Sequence, residues 1–207
     1  MIRQREDDNL QLAIPKGRMY DGVVRLLAEA GIDLKQTVRN YRPHVNLAGS
    51  EVKILKPQSI VEMLHVGSRD VGFAGADWVA ELDGDLVELV DTGLDPVRVV
   101  VAAPTELIST GGLPSGHLVV ASEYERLTRR WIARKGLDAD FVRSYGATEV
   151  FPPEDADLIV DNTATGSTLE ANNLVIVDEL MTSSTRLYAN PAALAHRERR
   201  RAIDDLV

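Results

Sequence analysis

The stretch Asp157–Glu170, DLIVDNTATGSTLE, limits the folds open to this chain more than any other. A short apolar run, Leu158-Ile159-Val160, sits between acids and reads as a buried strand. The chain then breaks into Asp161-Asn162-Thr163-Ala164-Thr165-Gly166-Ser167-Thr168 and resumes helix-forming residues at Leu169-Glu170-Ala171. Strand, small polar loop and helix start are the parts from which α/β proteins build a phosphate cradle. The first amides of a helix lack intrahelical acceptors, and the helix dipole favours an anion beside them. Gly166 allows close backbone approach, and the hydroxyls of Thr165, Ser167 and Thr168 can donate to phosphate oxygens. Asp161 repels phosphate but can hold a sugar hydroxyl or a magnesium ion beside one. The same residues also suit an ordinary helix cap and a solvated turn.

The flanking sequence repeats this plan. Leu10–Ile14 reads as a strand, followed by Pro15-Lys16-Gly17-Arg18 and a helix on which Val23, Leu26, Leu27 and Ala30 recur, with Gly31 at its end. That order places Lys16 and Arg18 at the C-terminal edge of a sheet, where open α/β sheets bind ligands. As isolated residues they read more readily as solvated surface cations. Val52–Leu55 is a strand before Lys56-Pro57 and a helix through Ile60, Val61 and Leu64. The run from Asp70 to Asp77, DVGFAGAD, is a buried strand entering a turn at Gly75 and Ala76. Those small residues either admit a ligand or only pack helix on sheet. Leu86–Val90 and Val97–Ala103 read as two strands joined by a turn, as do Leu174–Val177 and Arg186–Ala189. Ser122 reads as the cap of a helix over Glu123–Lys135 that Gly136 ends. The tail from Pro191 reads as one Arg-rich helix. Alternating strands and helices predict an α/β fold with mainly parallel sheets.

Composition excludes several classes. With 23 Lys+Arg against 32 Asp+Glu, the net charge of −9 argues against a general nucleic-acid binder. The 4 histidines are scattered and there is no cysteine, so neither a histidine zinc site nor a thiolate site is expected. No apolar run approaches the roughly 18 residues of a membrane span, and the polar start MIRQREDDNLQ lacks a secretory apolar core. A cytoplasmic protein with no membrane partner is the expectation.

The pattern Asp161-x-x-x-Thr165-Gly166-x-Thr168-Leu169 resembles the signature of the ATP phosphoribosyltransferases. The resemblance runs in order from Leu12 to Pro191 through Lys16-Gly17-Arg18, Lys56-Pro57, Asp70-Val71-Gly72-Phe73-Ala74-Gly75, Gly146-Ala147-Thr148-Glu149 and Thr185-Arg186-Leu187. It implies a two-lobed, type II periplasmic-binding-protein-like fold with a cleft between lobes. On that reading residues 1–92 form lobe I, 93–178 an inserted lobe II and 179–207 the return to lobe I. The implied reaction joins N1 of ATP to the phosphoribosyl group of phosphoribosyl pyrophosphate and releases pyrophosphate, the first step of histidine biosynthesis. A chain ending at Val207 resembles the family's short form, which works with a regulatory subunit similar to histidyl-tRNA synthetase. A homo-oligomer is the other expected assembly.

The resemblance also assigns roles. Asn162, Thr163, Ala164, Thr165, Gly166, Ser167 and Thr168 hold the 5′-phosphate, with Arg18, Gly75 and Ala76 also against substrate. Asp161 and Glu149 take the ribose hydroxyls and favour a cationic C1′. Lys16, Arg39 and Lys56 serve pyrophosphate and the ATP phosphates, and Arg42 competes with Arg39 for that task. The family often carries Arg where Lys56 stands, which gives up a bidentate fork. Magnesium (Mg2+) is expected on pyrophosphate oxygens and water, with no metal cage of protein ligands. A non-catalytic two-lobed binding protein for small anions, or a scaffold that keeps the fold, are the alternatives. Neither needs the acidic pair together with a second cluster of cations.

Overall fold

The computed structural model describes residues 9–35, 40–108, 112–113 and 115–207. The chain runs β1 (Leu10–Pro15), α1 (Arg18–Glu29), β2 (Leu34–Lys35), β3 (His44–Val45), β4 (Ser50–Leu55), α2 (Pro57–His65), β5 (Val71–Gly75), α3 (Ala76–Leu82) and β6 (Val87–Pro104). It continues with α4 (Thr105–Ile108), β7 (Leu118–Ser122), α5 (Glu125–Lys135), β8 (Ala139–Arg143), a 3-10 turn (Thr148–Val150) and β9 (Leu158–Thr163). The last elements are α6 (Ser167–Ala171), β10 (Leu174–Ala189), α7 (Pro191–Ala195) and α8 (Arg197–Asp204). The contacts divide into two units, residues 1–95 with 184–207, and residues 96–183.

In the first unit β1 pairs in parallel with β4 and β5, and β10 lies antiparallel on β5 through Thr185–Ala189. Every residue of β1 is buried, because both of its faces are covered. Leu10, Leu12 and Ile14 point to one side and pack with Val23 and Leu27 of α1 and Ile203 of α8. Ala13 points to the other and packs with Ile60, Val61 and Leu64 of α2. A parallel strand enclosed in this way has no polar face to show in its sequence. Gly72 serves this packing, since a β-carbon there would meet Ile60 Cγ2 at 2.9 Å and the Ala13 carbonyl at 3.0 Å.

In the second unit β7 pairs in parallel with β8 and β9, and β6 runs antiparallel to β9 from Arg98 to Ala102. Val100, Ala102, Ala121 and Ile159 form a sheet core that Leu169 and Leu174 close. Trp131 of α5 is buried and donates from Nε1 to Asp178 Oδ2 at 2.8 Å. Lys135 Nζ lies 2.9 Å from the same carboxylate. These two donors, led by Lys135, pull the Asp178 pKa down to about 2.

Several expectations are corrected. The two strands expected on either side of Asp91–Pro96 are one, β6, and those expected on either side of residues 178–185 are one, β10. The turn-forming residues are absorbed: Gly93 and Asp95 take positive φ of 66° and 48° within β6. Ser184 Oγ donates to Asp91 Oδ1 at 2.6 Å, Thr185 Oγ1 to Asp95 Oδ2 at 2.9 Å, and Thr92 Oγ1 to the Thr185 carbonyl at 2.6 Å. The units divide inside these long strands, at 95/96 and 183/184, where the expected borders were 92/93 and 178/179. Ser122 ends β7 and is not the helix cap; α5 starts at Glu125. The Arg-rich tail is two helices, because His196 is extended at φ −88° and ψ 121°.

His117 lies at the start of β7 with Nδ1 at 3.1 Å from Asp138 and Nε2 at 3.3 Å from Asp140, the latter in β8. Hydrogen bonds donated by the ring to these two carboxylates, that to Asp138 first, raise the imidazole pKa above its ordinary value. A raised folded pKa means the contact contributes fully below the unfolded value near about 6.5 and is lost as pH rises through the folded one. Melting curves should therefore separate wild type from His117→Gln at about pH 5 and bring them together at about pH 8 or above.

Candidate active site

Parallel pairing in the second unit brings the C-terminal ends of β7, β8 and β9 to one edge. At that edge β9 ends at Thr163, three residues later than the sequence suggested, so that Asp161, Asn162 and Thr163 stand on the strand. The loop is then only Ala164, Thr165 and Gly166 before α6 begins. Thr163 Oγ1 accepts from the Gly166 N–H at 2.8 Å and ties the loop across its base. Thr165 Oγ1 lies 3.0 Å from Ser167 Oγ and accepts weakly from the Ser167 N–H at 3.3 Å. Gly166 is left-handed, at φ 88°, and a β-carbon there would meet nothing within 4 Å. The glycine is needed for its backbone angle and leaves open space above it. Glu170 N–H closes the first turn onto the Gly166 carbonyl at 3.0 Å, so the Thr168 and Leu169 amides precede the first intrahelical bond. Ala164, Thr165, Ser167 and Thr168 are exposed.

Asp161 is half-buried and accepts from the Asn162 N–H at Oδ1, 2.7 Å. Burial pushes its pKa up to about 6; the Asn162 N–H pulls the other way, and the charges of Glu149 and Glu123 add to the rise. Glu149 sits on the 3-10 turn, which Ala147 enters at a left-handed φ of 49°. That conformation is rare for a residue with a side chain. Buried Ser144 and Thr148 bridge the turn with their hydroxyl oxygens 2.7 Å apart. Glu123 was not foreseen. It follows Ser122 at the end of β7, and its Oε1 would be 3.9 Å from a β-carbon on Gly146. Only the parallel register of β7 with β9 reveals that it faces the same edge, so sequence spacing held no signal for it.

In the first unit the C-terminal ends of β1, β4 and β5 also share one edge. Lys16 and Arg18 lie on the turn after β1, Lys56 caps α2 after β4, and all three side chains are exposed. The Lys16 N–H donates to the Leu55 carbonyl at 2.8 Å, which sets the first turn beside the second. Gly17, at φ 78°, starts α1 directly at Arg18. Gly75 and Ala76 are buried at the junction of β5 and α3. Arg39 lies outside the described residues. Arg42 is exposed, beside a concavity of about 590 Å³ that it lines with Lys35, Asn40, His44 and Lys53. Burial, with Arg69 and Arg42 nearby, holds the Lys53 ammonium below its ordinary value. Among the described residues no group of three His, Cys, Asp or Glu is placed to hold a metal ion.

These features define an α/β protein of the type II periplasmic-binding-protein-like class, carrying an exposed strand–loop–helix turn flanked by acids. Solved structures agree on the fold. An alkanesulfonate-binding protein from Xanthomonas axonopodis pv. citri matches with a TM-score of 0.56 at 15% identity, over 98% of this chain and 73% of that one. At that identity the likeness concerns the fold alone. A chain of the ATP phosphoribosyl transferase (HisG:HisZ) complex from Thermotoga maritima matches with a TM-score of 0.83 at 28% identity, over 95% of this chain and 96% of that one.

Sequence comparison goes further. The family model for ATP phosphoribosyltransferase, HisG, matches residues 56–207. An ATP phosphoribosyltransferase of Chlorobium phaeobacteroides is 37% identical over 96% of this chain and 71% of its own length. Another, from Desulforudis audaxviator, is 38% identical over 90% of this chain and 66% of its own. The chain belongs to the ATP phosphoribosyltransferase family. It is a transferase that catalyses the first step of histidine biosynthesis, and the non-catalytic alternative is not favoured.

The raised pKa of Asp161 has a consequence for stability. An unfolded Asp ionises near about 3.9. Between that value and about 6 the folded carboxyl is still protonated, and above about 6 its charge burdens the folded state. Stability from this group therefore falls as pH rises through that window. Asp161→Asn should raise the unfolding free energy of the ligand-free protein by about 1–2 kcal/mol at neutral pH and change it little at about pH 4, as urea denaturation would measure.

Proposed function

We propose the following division of labour for the transfer of the phosphoribosyl group to N1 of ATP. The β9–α6 loop holds the 5′-phosphate of phosphoribosyl pyrophosphate. The Thr168 and Leu169 amides and the hydroxyls of Thr165, Ser167 and Thr168 donate to it. The observation that carries this reading is the combination at the end of β9: an exposed, glycine-opened loop next to a half-buried acid whose pKa is pushed up to about 6. Asn162 and Thr163 at the end of β9, together with Ala164, complete the phosphate site. Asp161 and Glu149 accept from the ribose hydroxyls, and their charge favours the cationic character that C1′ acquires. The N1 lone pair of adenine forms the new bond to C1′ as the C1′–oxygen bond to pyrophosphate breaks, with inversion.

No side chain need act as a nucleophile, because adenine N1 already is one. The requirement is electrostatic: polyanions must be held and the departing pyrophosphate stabilised. Lys16, Arg18 and Lys56 are the described cations suited to that task, together with Arg39; Gly75 and Ala76 admit substrate against backbone. Magnesium would accompany pyrophosphate and offset its charge, with no protein residue assigned to hold it. We also infer a hetero-oligomer with a regulatory subunit, supported by the likeness to a chain of a HisG:HisZ complex. The cytoplasm is the proposed compartment; no helix among the described residues is long and apolar enough to cross a membrane.

The test mixes the purified chain with ATP, phosphoribosyl pyrophosphate, Mg2+ and pyrophosphatase, and follows the ultraviolet change on N1-ribosylation. Thr168→Ala should raise KM for phosphoribosyl pyrophosphate at least tenfold and leave KM for ATP nearly unchanged. Lys56→Ala should lower kcat by about a hundredfold, and Lys56→Arg should keep most of it. Equal losses for both substrates in Thr168→Ala would remove the loop from its assigned role. With Asp161 required as the anion, kcat/KM for phosphoribosyl pyrophosphate should rise through about pH 6 and level off above it.

A further inference from the structure

The turn that joins β7 to α5 grips β9 on both sides of Asp161. Ser122 is fully buried, and its hydroxyl donates to the Val160 carbonyl at 2.6 Å. The same oxygen accepts from the Tyr124 N–H at 2.8 Å, which fixes the turn. Tyr124 is also fully buried, and its phenol oxygen accepts from Asn162 Nδ2 at 2.8 Å. Asn162 in turn donates its backbone N–H to Asp161 Oδ1 at 2.7 Å. Val160 and Asn162 are the immediate neighbours of Asp161, so one three-residue turn holds the residue before it and the residue after it.

Packing alone accounts for part of this. A buried phenol needs a hydrogen-bond partner, and a strand carbonyl at a sheet end needs a donor. It does not account for Asn162, whose residue is exposed and whose amide could be solvated by water at little cost. The amide instead reaches inward to a wholly buried hydroxyl, and that contact restricts its rotamer. With the side chain anchored, the Asn162 backbone N–H is held where it meets the Asp161 carboxylate. A carboxylate that must meet two ribose hydroxyls gains from this, because sub-ångström misplacement of a reacting group is costly.

We propose that Tyr124, assisted by Ser122, is a positioning residue for the transferase reaction, orienting the Asp161 carboxylate through Asn162. The proposal rests on the assignment of Asp161 to the ribose. Tyr124 touches no substrate; its effect passes through the strand.

The experiment is a double-mutant cycle in the full chain with Tyr124→Phe, Asp161→Asn and their combination, joined to a carbon-13 NMR titration of the Asp161 carboxyl. Tyr124→Phe should keep the circular dichroism spectrum and lower kcat roughly ten- to a hundredfold with KM for ATP unchanged. It should move the acid limb of the pH profile, and the Asp161 titration itself, further upward, because the Asn162 N–H that lowers this pKa is no longer held in place. In the Asp161→Asn background it should have no further effect. Asn162→Ala removes the same hydrogen bond from the exposed side and should reproduce the shift in the Asp161 titration, which keeps the test valid if Tyr124→Phe folds poorly. An unmoved titration in Tyr124→Phe and Asn162→Ala overturns the positioning role, as do losses that multiply in the combined variant. Wild-type turnover in Asp161→Asn overturns the assignment of Asp161 instead, and a shifted titration in Tyr124→Phe would then separate that failure from the failure of the clamp.

Discussion

Parallel pairing of β7 with β8 and β9 is the constraint on which the candidate site depends. Parallel strands end on the same side, so one edge collects Ser122 and Glu123, the Ser144–Glu149 turn, and the Asp161–Gly166 segment. These groups come from places some forty residues apart along the chain, and nothing local would assemble them. The pairing also shapes their electrostatics: burial first, and then the charges of Glu149 and Glu123 at the same edge, push the Asp161 pKa up to about 6. An antiparallel arrangement would have put neighbouring strand ends on opposite sides. The antiparallel strands that do occur, β6 against β9 and β10 against β5, carry no site residue beyond the edge they support.

The chemistry follows from that arrangement with few specialised groups. In the proposed reading phosphate meets amides and hydroxyls, which need no counter-charge of their own and suit a chain whose net charge is −9. The cations Lys16, Arg18 and Lys56 stand at the strand ends of the first unit, with exposed side chains. Acids crowded at one sheet edge disfavour one another's charge; here burial and those neighbours appear as the raised pKa of Asp161.

Much of this was legible in the sequence, and the reasons differ by residue. Leu158-Ile159-Val160 and Leu10–Ile14 read correctly as buried strands because continuous apolar runs between polar breaks have few other uses. Gly31 and Gly136 read as helix ends because both take a positive φ there, 80° and 64°. The Asp91–Pro96 segment misled, since Thr, Gly, Asp and Pro together look like a turn. Side-chain bonds from Ser184 and Thr185 to Asp91 and Asp95 keep it extended, and those partners lie about ninety residues away. Ser122 misled for a related reason: its hydroxyl does accept from the backbone N–H of Tyr124, two residues on, but it also donates across the sheet to Val160. Glu123 and Tyr124 left no trace in spacing at all, because their importance comes from the register of β7 on β9.

The central claim is that the loop opening α6 receives the phosphate of phosphoribosyl pyrophosphate. Ribose 5-phosphate titrated into nitrogen-15-labelled protein tests it most directly, because amide resonances report the site without turnover. The account predicts the largest shifts at the Gly166, Ser167, Thr168 and Leu169 amides, with smaller ones at Asp161 and Asn162. Shifts confined to the turns around Lys16 and Lys56, with the α6 amides unmoved, would contradict it.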